Sequence, residues 1–382
     1  MTTVLFITDL HTGTHVLEIS GVFERAAEFG WRVIEIERDR TTSPLKDFVD
    51  TWNPSGCILE CGNLTQPVDT KDFGGIPLVY IDPPEGTPDD VFKVTNNSES
   101  LARKAATELE HLGCASYAYV GWCRRTSWSV NRGKAFVKAL AEHGHSCAVH
   151  EAEWQDTFAI QKKLAKWLLK LRRPVGVFAA NDYAAQQIAG ACALAELECP
   201  TDVAIVGVDN DMLVCENTFP SISSIEPDFR EAGRLAADLM HEQLEGTVKS
   251  GERHRSFGPL TLARRQSTRA VKTGDRRIIM AVERIRRDAC FGLKAADIIA
   301  DIGLSRRLAE RRFRAATGKT ILGEINDVRF AEAKRLLRDN TVPIGFITGK
   351  CGWESDSYFK RFFKSRTGMT PRNWRKQATK AD

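Results

Sequence analysis

The chain opens on an apolar run, Val4-Leu5-Phe6-Ile7, that breaks into a Gly/His/Thr loop and then a helical pattern over residues 16–28. That rhythm repeats through the first 270 residues. Short runs at 4–8, 31–36, 56–59, 77–82, 116–120, 174–179 and 203–208 read as buried strands. Between them, 98–111, 132–143, 161–171 and 184–195 carry apolar positions at helical spacing. Strand and helix alternating at this interval predict parallel sheets with helices on both faces. The length leaves room for two such sheets, with a cleft between them beyond the carboxyl ends of the strands.

The pattern changes after Arg264. Residues 264–274 are poor in aliphatic side chains and read as the end of the α/β body and a short linker. From Arg276 onward every periodic segment is helical. The predicted division is an α/β region over 1–268, a linker over 269–275 and an all-α domain over 276–378.

The tail contains two helix-turn-helix patterns. In the first, a helix ends near Ala300, Gly303 permits the positive φ of a tight turn, and Ser305 is placed to cap the next helix. Leu308 and Phe313 are expected inside, with Arg306, Arg307, Glu310 and Arg311 outside. In the second, Gly352 marks the turn and Ser355 the cap. Tyr358, Phe359, Phe362 and Phe363 are expected in the core, with Asp356, Ser357, Lys360 and Arg361 outside. A long helix over 325–338 lies between the two. A short helix with an arginine-rich outer face fits the major groove of duplex DNA, where Arg pairs bidentately with guanine.

Charge strengthens that reading. The formal net charge is +4, but residues 275–382 hold 25 Lys and Arg against 13 Asp and Glu, a net of +12. The remaining residues hold 29 basic against 37 acidic side chains, a net of −8. A basic tail on an acidic body points to a polyanionic partner for the tail alone.

Composition excludes several classes. An apolar fraction of 42% with 27% charged residues is that of a soluble globular protein. No apolar run is long enough to span a bilayer, so no membrane partner is expected. The start lacks a basic region and a small-residue cleavage site, so the expectation is a cytoplasmic protein. Ten cysteines are scattered along the chain, and the closest pair, Cys57 and Cys61, lacks the His or second Cys pair of a zinc site. Neither metal nor cofactor is expected. No Gly-x-Gly-x-x-Gly, Walker A or Gly-x-Ser-x-Gly element appears, and no catalytic carboxylate pair stands out, so an enzyme is not expected.

Residues from Arg276 to about Lys376 resemble the AraC/XylS-type DNA-binding domain. The likeness rests on Gly303-Leu304-Ser305-Arg306-Arg307, Arg311-Arg312-Phe313-Arg314 and Gly318-Lys319-Thr320. It continues through the run from Arg329 to Leu337, Cys351-Gly352-Trp353-Glu354-Ser355, the run from Ser357 to Lys364, and Gly368-Met369-Thr370-Pro371. The resemblance implies base contacts from Arg307, Glu310 and Arg311 in the first unit and from Asp356, Ser357 and Arg361 in the second. Arg306 and Lys360 join them on the same faces. Thr348 departs from the family's usual Ala and puts a hydroxyl into a packed turn.

Residues 1–268 resemble the LacI/GalR-type effector domain, whose fold is that of a periplasmic binding protein. The carriers are the run from Val203 to Asn210, Phe219-Pro220-Ser221-Ile222, Arg230-Glu231-Ala232-Gly233 and the closing Arg265-Gln266-Ser267-Thr268. Asn181-Asp182 and Arg132-Gly133-Lys134-Ala135-Phe136 also match. Most relatives of that type carry one helix-turn-helix ahead of the sensor, which this chain lacks. A sensor of this type before a tail of this type resembles regulators of xylose catabolism. That implies a transcription activator with a sugar effector, D-xylose, a double-stranded DNA operator, RNA polymerase as partner and a homodimer.

For the sugar, the architecture points to Asp9, Arg132, Asn181, Asp182 and Asp209, at carboxyl ends of strands or in the turns beyond them. Trp128, with Trp122, is the candidate for stacking on the ring. Pro227 stands where relatives often offer a polar side chain. The alternatives are a different effector or a silent sensor kept only for dimerisation.

Overall fold

The computed structural model describes residues 1–8, 13–62, 68–84, 86–88, 90–122, 126–151, 157–248, 252–269, 275–338 and 342–378. The chain forms two compact units, Met1–Ala270 and Val271–Asp382.

The first unit holds two six-stranded sheets. One is built from β1 (Thr3–Thr8), β2 (Arg32–Glu37), β3 (Gly56–Glu60), β4 (Leu78–Ile81), β5 (Phe92–Asn96) and β11 (His254–Phe257). Its order is β11-β5-β4-β3-β1-β2, parallel throughout. The other is built from β6 (Ser116–Val120), β7 (Cys147–His150), β8 (Val175–Ala179), β9 (Val203–Val208), β10 (Ser223–Pro227) and β12 (Pro259–Ala263). Its order is β12-β10-β9-β8-β6-β7, with only β10 and β12 antiparallel. Strands β3, β8 and β9 are buried along their whole length, as strands covered on both faces must be.

Helices complete two lobes. The first lobe carries α1 (Gly13–Phe29), α2 (Leu45–Trp52) and α8 (Phe229–Leu244). The second carries α3 (Ser98–His111), α4 (Ser127–Glu142), α5 (Thr157–Leu168), α6 (Asp182–Leu194) and the short α7 (Met212–Asn217). The backbone passes between lobes after β5, after β10 and between β11 and β12. These passages bond to one another: Asn97 N–H donates to Phe257 O at 2.8 Å and Asp228 N–H to Gly258 O at 3.0 Å. The side chains of Asn97 and Asp228 then cap α3 and α8. Pro227 sits at the second passage, where the β10 register slips.

Helices α1 and α8 touch backbone to backbone. A Cβ on Gly21 would lie 2.0 Å from Arg230 O, and one on Gly233 would lie 1.9 Å from Glu18 O. Only glycine permits this approach, which fixes where α1 presents its side chains.

The second unit is helical: α9 (Arg276–Asp288), α10 (Ala295–Ile302), α11 (Arg306–Thr317), α12 (Ile321–Arg338), α13 (Ile344–Lys350), α14 (Asp356–Thr367) and α15 (Pro371–Ala378). It has two small cores. One gathers Ile278, Ile285, Ile298, Phe313 and Ile325; the other gathers Leu337, Ile347, Trp353, Phe359 and Phe363. Helix α12 contributes to both. The repeat is visible in its turns: Gly303 and Gly352 adopt φ of 66° and 77°, and Gly318 and Gly368 close α11 and α14 at 77° and 75°. Thr317 and Thr367 each donate to the carbonyl four residues back, Phe313 O and Phe363 O.

Three expectations change. The inner face of α11 is Ala309, Phe313 and Ala316, while Leu308 is only half-buried, because the core-facing stripe lies one residue further round. Tyr358 is 41% exposed rather than core; its ring lies over that of Phe362 at 6.1 Å. Ser305 occupies the cap position of α11 without a side-chain cap bond, whereas Ser355 accepts from Tyr358 N–H at 3.3 Å. Thr348 is buried, but within α13 rather than in a turn. Within the segment 264–274, read from sequence as the end of the α/β body and a linker, residues 266–268 form a buried turn and Arg264 pairs with Glu108 at 2.6 Å, within the first unit. Residues 270–274 lie outside the described residues.

Candidate functional site

The carboxyl ends of the two sheets of the first unit face a cleft. From the second lobe, α4 brings Trp128 and Arg132 one turn apart, with the guanidinium 4.7 Å over the indole ring. Arg132 is 3% exposed. Its Nη1 donates to Ala180 O at 2.6 Å and lies 3.9 Å from Asp209 Oδ1, while its Nε has no hydrogen-bond partner among the described residues. Asp209 follows β9 with φ of 105°, and Asn210 follows with φ of 54°. Two consecutive residues in this unfavourable region need support from their surroundings. Arg265 gives it: its Nη2 donates to Asn210 Oδ1 at 2.8 Å and its Nη1 to Ile222 O at 2.9 Å.

The first lobe contributes acid. Glu18 on α1 interacts electrostatically with Glu60 at the end of β3, with Asp82 beyond β4 and with Asp209 of the second lobe. Burial pushes the Glu18 carboxyl well above its ordinary value, and the three neighbouring carboxylates push it further. Burial raises Asp82 to about 6 against the pull of the Asn96 N–H and Arg132. Asp209 rises to about 8, again chiefly through burial, with Arg132 opposing. Buried polar atoms without partners among the described residues include Glu18 Oε2, Arg132 Nε and both amide atoms of Asn96. A site rich in acceptors and short of donors suits a ligand with several hydroxyls.

Of the residues singled out from sequence for the ligand, Arg132, Trp128 and Asp209 come together. Asn181 instead caps α6, accepting from Ala184 N–H at 2.9 Å. Asp182 is buried behind the site: its Oδ2 accepts from Asp211 N–H at 2.8 Å, and a Cβ on Gly207 would lie 2.2 Å from its Oδ1. It therefore supports the turn carrying Asp209. Asp9 lies outside the described residues. Trp122 packs against the two cores of the second lobe. Glu18, Glu60, Asp82 and Arg265 were not found from sequence. The available signal was an arginine, Arg265, inside an otherwise small, polar closing segment.

In the second unit, several arginines form ion pairs, such as Arg284 with Asp301 and Arg366 with Asp327, and others are either bound to carbonyls or left exposed. Arg329 is buried and donates to Ala289 O at 2.8 Å and Leu293 O at 2.9 Å, and Arg375 donates to Val342 O at 2.8 Å. Arg306, Arg307 and Arg311 on α11, and Arg361 on α14, are exposed and have no hydrogen bond or ion pair with other described residues. Asp356, Ser357 and Lys360 are exposed on α14, with Lys360 and Asp356 3.8 Å apart. Glu310 departs from its expected outward role. It is half-buried, and its Oε2 accepts from Ile321 N–H at 3.3 Å, at the start of α12.

Among the described residues no His, Cys, Asp and Glu cluster could hold a metal ion, and no helix is long and apolar enough to cross a membrane.

Residues 106–268 match the family model of the periplasmic binding protein-like domain, and residues 298–377 that of a helix-turn-helix domain. The xylose operon regulatory protein of Haemophilus influenzae is 30% identical over 290 residues, 74% of this chain and 74% of that protein. Its Escherichia coli K12 counterpart is 27% identical over 389 residues, 98% of this chain and 96% of that one. Among solved structures, a xylose-binding transcription activator superposes with a TM-score of 0.58 at 23% identity, over 98% of this chain and 97% of that chain. A LacI family transcriptional regulator from Arthrobacter sp. FB24, solved in complex with lactose, gives 0.56 at 25% identity over 70% of this chain and all of that one.

Proposed function

This chain belongs to the family of the xylose operon regulatory proteins, and on that premise we propose that it is a cytoplasmic transcription activator that senses D-xylose and reads operator DNA. It is a regulator with a sugar-sensing unit and an AraC-type DNA-binding unit, not an enzyme. The sensor is 1–268, the linker 269–275 and the DNA-binding domain 276–378.

The observation that carries the reading is the set of exposed guanidiniums, without partners among the described residues, on the two equivalent helices α11 and α14. Arg307, Arg311 and Arg361 contact base edges, and Arg306 and Lys360 hold phosphates. Asp356 and Ser357 face the groove beside them. Glu310 fastens α11 to α12.

Sugar enters the cleft against Arg132, Asp209 and Trp128, and the lobes close on it. Sugar shifts the protein only by its differential affinity for the closed state. In a homodimer, closure repositions the paired DNA-binding domains and their contact with RNA polymerase.

Melting of the full chain against a panel of pentoses and hexoses tests this. A ligand at one hundred times its dissociation constant stabilises its domain by about 2.7 kcal/mol. A rise with D-xylose alone supports the proposal; a rise with another sugar moves the regulon and keeps the architecture. No rise with any sugar overturns the sensing role.

A further inference from the structure

We infer that Glu18 is the first lobe's acceptor for the effector, taking a hydrogen bond from a hydroxyl of an uncharged sugar. The inference rests on reading the cleft as a sugar site.

Glu18 lies in the second turn of α1 and is 3% exposed. Its Oε2 has no hydrogen-bond partner among the described residues. The backbone at this turn is fixed, because the Glu18 carbonyl is pressed against Gly233 of α8 at a distance that leaves no room for a Cβ. The charges around it share its sign: Glu60, Asp82 and, from the opposite lobe, Asp209. Glu60 accepts from the Thr8 hydroxyl at 2.9 Å. His15, three residues earlier on the same helix, is turned to Glu35 at 2.7 Å. Arg132 spends one nitrogen on Ala180 O and stands nearest Asp209.

A buried acceptor with no donor among the described residues is open to a donor from the ligand. A hydroxyl meets that need in a cleft with more acceptors than donors. A phosphate ester or a uronate meets it less well, since an ionised oxygen has no proton to donate and brings negative charge into a buried acidic site. The cleft is therefore selective for the free sugar over its anionic derivatives.

The test is calorimetric titration of the full chain and its Glu18→Met and Glu18→Gln variants. The ligands are D-xylose, L-arabinose, D-ribose and D-glucose, the monodeoxy analogues of whichever sugar binds, and its phosphate ester. Wild type is expected to bind one sugar, and at least a hundredfold more weakly its phosphate ester. Glu18→Met is expected to bind the sugar ten- to a hundredfold more weakly, with ligand-free melting unchanged or raised. One monodeoxy analogue should lose affinity for wild type and lose nothing further in Glu18→Met. If Glu18→Met does not fold, Glu18→Gln carries the test: it keeps an oxygen acceptor, so it should hold the sugar better than it rejects the phosphate ester. Wild-type affinity in the folded variant, or a loss shared equally by every deoxy analogue, overturns the role of Glu18 and leaves the sugar site standing. Failure of wild type to bind any sugar removes the sugar site, and the inference with it.

Discussion

Trp128 of the second lobe donates its indole N–H to the carbonyl of Gly62 in the first, over 2.9 Å. The Ser127 hydroxyl beside it donates to Pro83 O at 2.6 Å. The first turn of α4 thus joins the lobes, and the next turn supplies Arg132 to the ligand. Closure and recognition share one helix end.

Replacing Trp128 by Phe keeps a ring under the guanidinium and removes only the donor. Sugar affinity in calorimetry should fall about fivefold, the loss of roughly one net hydrogen bond of about 1 kcal/mol. An unchanged affinity would mean that the lobe-to-lobe bond contributes nothing to the bound state.

Asp209→Asn takes away the carboxyl facing Arg132 while tolerating the left-handed backbone better than most residues would. The sugar-induced rise in melting temperature should disappear, with DNA affinity in the absence of sugar unchanged. Survival of the sugar response would exclude Asp209 as a ligand group.

The raised carboxyls make a pH prediction for the ligand-free sensor. Unfolded, these groups titrate near the ordinary carboxylate value of about 4. Folded, burial raises Asp82 to about 6 and Asp209 to about 8. Between those limits the folded state holds more protons, so stability is greatest at the acid end of the window and falls as pH rises through the folded values. Urea unfolding at pH 5, 6.5 and 8 should show a declining midpoint, and Asp82→Asn should flatten the part near pH 6. A midpoint that climbs across the window in wild type and stays unaffected by Asp82→Asn would contradict it.

On DNA, single Arg307→Ala, Arg311→Ala and Arg361→Ala changes should each cost about 1–3 kcal/mol with altered base preference, and leave melting within a degree or two. Glu310→Ala should behave in the opposite way, lowering the stability of the helical unit with little change in preference. Fluorescence anisotropy on operator variants, paired with melting, separates the two. A change in base preference from Glu310→Ala would return that residue to the DNA face.

Most strands legible in the sequence are apolar runs such as Val203–Val208, buried along their whole length. Strands β5, β7, β10, β11 and β12 are not among the runs read from the sequence: they are short and mix polar residues or proline into the apolar pattern. Helical spacing found α11 and α14, but it could not separate Leu308 from Ala309, neighbours that differ by one position in a stripe about 100° wide. At the cleft, position after a strand pointed to both Asp209 and Asn181; the first lies beside Arg132 and the second caps α6. Glu18 was hidden for another reason. A glutamate within an amphipathic helix reads as solvated until the glycine contact with α8 shows that its face is buried.

The most direct measurement is the retention of genomic DNA fragments by the full chain, with and without D-xylose, read by sequencing. A few fragments should be retained, and D-xylose should change their retention at least tenfold. Those fragments should lie upstream of sugar-catabolism genes. Retention that is the same with and without D-xylose, at a concentration that saturates the sensor, would contradict the role of this chain as a sugar-controlled reader of DNA.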